Sequence, residues 1–138
     1  MRAAILLVLA GAALAQAPTF QPVGSMSQLM VDMIYPASDA IFYVDQDPPK
    51  NQHEWNILQE NALIVAESGN LLMMPSRARD QDRWIKDSKV MVDLGAAAYR
   101  AAKAHDLDAI RALNEPLTAA CITCHQEYRP NYPRRKKQ

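Results

Sequence analysis

Apolar residues recur along this chain at intervals of three and four, with no strand-like alternation of apolar and polar positions. That period predicts four helices. The first covers roughly residues 25–44, where Met26, Leu29, Met30 and Met33 form a stripe at i, i+3, i+4 and i+7. Ser25 or Ser27 supplies its N-cap. Pro36 falls inside this segment; it removes a backbone donor and crowds the preceding turn, which predicts a kink or break near Tyr35.

Residues 45–51, with Pro48 and Pro49, read as a loop. The second helix runs from about Gln52 to Leu72, with Trp55, Leu58, Ala62, Val65 and Leu72 on one face and Gly69-Asn70 weakening its last turn. Pro75 and the polar stretch to Gln81 connect it to a third helix, from about Asp82 to His105. Along one side of that helix lie Trp84, Met91, Gly95, Ala98 and Ala102, small enough in part to admit a neighbouring helix or a flat ligand. Asp106 or Asp108 caps the fourth, which carries Leu113, Leu117, Ala120, Cys121, Cys124 and Tyr128. Pro116 within it implies either a kink or a fresh start capped by Asn114, and Pro130 and Pro133 end it. Four amphipathic helices with short connections indicate an all-α, antiparallel four-helix bundle.

The N-terminus departs from this amphipathic pattern. Arg2, the apolar run Ala3 to Leu14 and the small-x-small site Ala13-Leu14-Ala15 read as a signal peptide over residues 1–17, cut near Ala15, with a retained anchor as the alternative. The run is short of the ~20 residues that span a bilayer, and no later stretch is apolar enough to do so. Residues 18–138 then form one ordinary domain, exported to a bacterial periplasm and without stable membrane insertion.

Charge is balanced overall and uneven along the chain. Six of the fifteen basic residues are Arg2, Arg129, Arg134, Arg135, Lys136 and Lys137; the nine others stand against fifteen acidic residues. The body is therefore acidic and the tail basic. The tail reads either as a solvated end or as a docking patch for an acidic partner. Nucleic-acid binding does not suit an exported chain.

The two cysteines stand together in Cys121-Ile122-Thr123-Cys124-His125. C-x-x-C-H is the attachment sequence of a c-type haem: two thiols add to the vinyl groups, and the next histidine reaches the iron. On a helix these positions are i, i+3 and i+4, one face. The blander readings are a redox C-x-x-C followed by an unrelated histidine, half of a zinc site, or a disulfide. A redox pair belongs beside a βαβ pattern, which is absent. Structural zinc needs a second ligand pair, whereas His53 and His105 are isolated. A disulfide between i and i+3 requires distorted geometry. Haem attachment and the export signal support each other, because covalent haem is attached outside the cytoplasm.

The segment Cys121-Ile122-Thr123-Cys124-His125-Gln126-Glu127-Tyr128-Arg129 resembles the cytochrome c prime family, in which C-x-x-C-H near the end of a four-helix bundle is followed by two residues, an aromatic and a basic residue. The resemblance covers essentially the whole mature chain. It implies one covalent haem c on the fourth helix, packed against the first, and a Met or Leu of the first helix facing the iron. It also implies that Arg129 sits near the proximal pocket, tuning His125 or pairing with a propionate; a solvated arginine is the alternative. Pro36 departs from the family's first helix, so its register and a homodimer through that surface stay open.

The residue opposite His125 decides the chemistry. A methionine there makes a six-coordinate iron suited to electron transfer with redox partner proteins, and not an enzyme. An apolar residue leaves an open site for nitric oxide or carbon monoxide. Met30 stands in the segment resembling the family's haem-facing position, ahead of Met26 and then Met33, with Met73 and Met74 weaker sources. A methionine stripe is otherwise ordinary core packing. A peroxidase would need a distal acid–base pair, typically with a histidine, and none is placed for it.

Overall fold

Residues 19–129 are described by the structure, a computed structural model. The segment read as a signal peptide, the prolines at 130 and 133 and the basic tail from Arg134 lie outside them. Among the described residues the chain is an all-helical four-helix bundle. Helix α1 covers residues 26–42, α2 Gln52–Leu72, α3 Arg83–Lys103 and α4 Leu107–Tyr128. Each helix packs on the next, α4 closes back on α1, and α2 with α3 shares the most extensive interface.

Helix α1 starts as predicted at Ser25, whose hydroxyl accepts from the Gln28 N–H at 3.2 Å while the Gln28 side chain accepts from the Ser25 N–H at 3.0 Å. The predicted kink or break near Tyr35 is replaced by a different irregularity. After Met26–Gln28 the chain enters a π-helical stretch, Leu29–Ile34, and resumes as an α-helix over Tyr35–Phe42. The Tyr35 N–H reaches back five residues to the Met30 carbonyl. Pro36 has no N–H to give, and its ring would crowd the carbonyl four residues back; the wider turn just before it accommodates both.

The π turn shifts the apolar stripe by one residue. Leu29 is followed on the buried face by Ile34, then Ala37 and Ile41, and Met33 turns outward with 39 % of its surface exposed. Met26 and Met30 pack against the core's edge.

Helix α2 has the expected span, capped by Asn51, whose side chain accepts from the Glu54 N–H at 3.0 Å. Leu58, Ala62, Val65 and Leu72 are buried. The small residues on its inner face meet those of α3. A Cβ on Gly95 would stand 2.5 Å from the Ala66 nitrogen, and one on Gly69 2.9 Å from the Ser88 carbonyl. These small residues therefore serve the approach of a neighbouring helix rather than of a flat ligand.

Between α3 and α4, His105 takes the left-handed conformation (φ 57°) at a helix C-terminus. The Asp106 N–H bonds to the Ala101 carbonyl at 2.9 Å and the His105 N–H to that of Ala102 at 3.1 Å, which closes the α3 carbonyls. A non-glycine residue in this conformation costs roughly 1 kcal/mol; the imidazole stacks on Trp55 with ring centres 4.8 Å apart. Asp106, not Asp108, caps α4. That helix continues unbroken through Pro116, so Asn114 does not start a new one; its amide instead donates to the Phe42 carbonyl at 3.4 Å. Ile41, Ile110 and Leu117 are almost fully buried, each contributing about 2 kcal/mol of apolar burial.

Candidate functional site

Cys121, Cys124 and His125 lie in the last two turns of α4, on the face turned toward α1 and α3. Two cavities open against that face. The larger, about 240 Å³, is walled by Met26, Met30 and Val31 of α1, Trp84 of α3, and Cys124, His125 and Tyr128 of α4, with Arg79 and Arg129 also lining it. The smaller, about 50 Å³, lies beside it among Met30 and Ile34 of α1, Leu72 of α2, Asp87, Ser88 and Met91 of α3, and Cys121, Cys124 and His125. Met30, Cys124 and His125 line both.

The sequence-predicted residues divide accordingly. Cys121, Cys124, His125, Met30 and Arg129 are brought together, and Met26 reaches the larger cavity. Met33 lines neither, because the π turn carries it to the outside. Met74 is engaged elsewhere, its sulfur 3.0 Å from the Arg77 guanidinium, and Met73 lines neither cavity. Arg79, Trp84, Asp87, Ser88 and Met91 are site residues that sequence reasoning missed as such. Trp84 and Met91 were legible only as members of an apolar face, because a core position and a cavity wall share the same period.

The walls are held by specific contacts. Asp80 is the tie between α3 and α4: one carboxylate oxygen accepts from the Trp84 N–H at 3.0 Å, and the other accepts from the Tyr128 hydroxyl. These bonds hold the Asp80 carboxyl below the usual carboxylate range, the tyrosine hydroxyl first among causes, and push Tyr128 up to about 12. The Trp84 indole N–H donates to the Leu72 carbonyl at 2.8 Å, and its ring meets that of Tyr128 edge-on at 4.8 Å. Arg83 pairs across the same junction with Glu127 at 3.2 Å.

The thiols are shifted toward the protonated form. Burial pushes Cys121 up, and burial, then the neighbouring Asp87 charge, pushes Cys124 up to about 11. A reactive C-x-x-C thiol is shifted the other way. Both cysteines are free. Among the described residues no group of three or more His, Cys, Asp and Glu side chains is placed to hold a metal ion by itself. His125 is lowered by its burial, then by the Arg129 charge, which favours the neutral imidazole that ligation requires.

Two buried polar atoms at the smaller cavity have no hydrogen-bond partner: the Ser88 hydroxyl, and one Asp87 oxygen, which instead stands in an ion pair 4.0 Å from the Arg83 guanidinium. Leaving a buried hydroxyl without a partner costs about 1–3 kcal/mol. Ser88 does not take the common escape of bonding to the carbonyl one turn back.

The residues present fit a c-type haem. Two cysteines and an imidazole share one face, a thioether lines the same cavities from another helix, the surrounding walls are largely apolar and two arginines line the larger cavity. Compared with known proteins, the chain matches no family model, no curated protein and no solved structure. No helix among the described residues is long and apolar enough to cross a membrane.

Proposed function

We propose that this chain is a periplasmic monohaem cytochrome of the cytochrome c prime type, carrying electrons between redox partner proteins and acting as a carrier rather than an enzyme. The observation that carries the reading is the placement of Met30 on the same two cavities as Cys124 and His125. Cys121 and Cys124 would hold the haem by thioethers, and His125 and Met30 would ligate its iron. When bound, the haem supplies a one-electron iron couple whose potential a thioether ligand raises.

The protein's own residues do the rest. Trp84 from α3 and Tyr128 from α4 wall the larger cavity and would limit water access to it. Arg129 stands one helical turn beyond His125, where its charge adds to burial in favouring the neutral imidazole, and a guanidinium there would suit a propionate. Asp80 fixes Tyr128 against Trp84 and so holds the end of α4, including His125, at one distance from α3. A rigid site of this kind changes little between oxidation states, which favours fast electron exchange.

The test is covalent attachment. Expressed with an export signal and haem-attachment machinery, the purified chain retains one haem after denaturation and acid extraction. The Cys121→Ala, Cys124→Ala double variant releases it. A wild-type chain that yields no bound haem under these conditions contradicts the proposal.

A further inference from the structure

We infer that Ser88 is a positioning residue that donates a hydrogen bond to the Met30 sulfur once the haem is in place, and so raises the reduction potential. The inference rests on the His125/Met30 reading and adds to it a residue that no motif marks. Ser88 is 2 % exposed and its hydroxyl has no partner. On α3 it lies one turn after Trp84 and three residues before Met91, both of which line the site. It therefore belongs to the inner face of the helix.

The smaller cavity's wall supplies few acceptors for that hydroxyl. Leu72, Ile34 and Ala120 have apolar side chains, and the thiols of Cys121 and Cys124 are consumed by attachment. The carboxylate of Asp87 is the adjacent residue on a helix, and adjacent helical residues do not face each other. Met91 lies one turn along the same helix, Met30 lines the same cavity from α1, and the His125 imidazole is taken up by ligation in the proposed reading. A thioether sulfur has two lone pairs, and coordination uses one. A hydrogen bond to the other draws electron density from the sulfur and weakens its donation to ferric more than to ferrous iron, stabilising the reduced state. A serine kept buried and unpaired beside a proposed ligand gains its partner when that ligand is fixed.

The test uses the haem-loaded protein. Redox titration followed by absorbance is carried out on wild type, Ser88→Ala and Ser88→Thr. The inference predicts that Ser88→Ala stays low-spin with a lower potential, that Ser88→Thr restores most of the difference, and that the near-infrared band of sulfur-to-ferric-iron charge transfer shifts in the alanine variant alone. A low-spin Ser88→Ala protein with an unchanged potential and band overturns the inference and leaves the ligand assignment standing. A high-spin wild-type protein overturns the ligand assignment itself, and this inference with it. If the potential falls equally in Met91→Ala, and the charge-transfer band is lost there but not in Met30→Ala, the acceptor is the wrong sulfur and the inference fails.

Discussion

Met30 and Met33 are three residues apart and differ in what they can do. In a regular α-helix they share a face, and the sequence period grouped them together with Met26. The π turn adds a residue to the repeat, so the buried face runs from Leu29 and Met30 to Ile34, and Met33 points outward. Met30→Ala is expected to convert a low-spin haem to a high-spin one, and Met33→Ala to leave the spectrum unchanged; absorption spectra of the two purified variants check this. The cysteines and His125 were legible because their chemistry dictates their spacing. Ser88, Arg79 and Met91 were not, because nothing local separates a residue that faces a cavity from one that faces another side chain.

At the scale of elements, the span of α2 and the start of α1 followed from capping chemistry and from the 3.6-residue period. The π stretch did not. Pro36 announces a disturbance, but whether it is met by a kink, a break or a wider turn depends on which carbonyls the neighbouring helices leave room to move. Pro116 likewise signalled a disturbance, and α4, packed on α3, runs through it. The α2–α3 contact depends on bare backbone at Gly95. Gly95→Ala would bring a Cβ to 2.5 Å from a backbone nitrogen that cannot swing aside, and a loss of about 1–3 kcal/mol is expected, read from thermal or denaturant unfolding.

The α3–α4 tie at Asp80 carries a pH dependence. Its carboxyl titrates lower in the folded chain than the ordinary 3.8, so the ionised form binds better folded than unfolded. The stabilisation is fully present above 3.8 and is lost as pH falls through the lowered folded value. Asp80→Asn is expected to narrow the difference in thermal stability between neutral pH and acid, with the wild type losing more on acidification. Equal acid sensitivity of the two proteins would remove Asp80 from this role.

The described residues form a four-helix bundle with a chemically marked face at the end of α4, against a methionine of α1. The core is built by small residues between α2 and α3 and by large ones elsewhere, which leaves the space beside α4 as the place for a ligand. The proposal stands or falls on whether His125 and Met30 both ligate a haem iron. Its most direct measurement is the absorption spectrum of the purified, reduced, haem-loaded protein, taken before and after carbon monoxide is added. The expected spectrum has the sharp bands of a low-spin, six-coordinate haem, unchanged by the gas. A high-spin spectrum that shifts with carbon monoxide would contradict it, and would identify an open site for small gases in place of a ligated one.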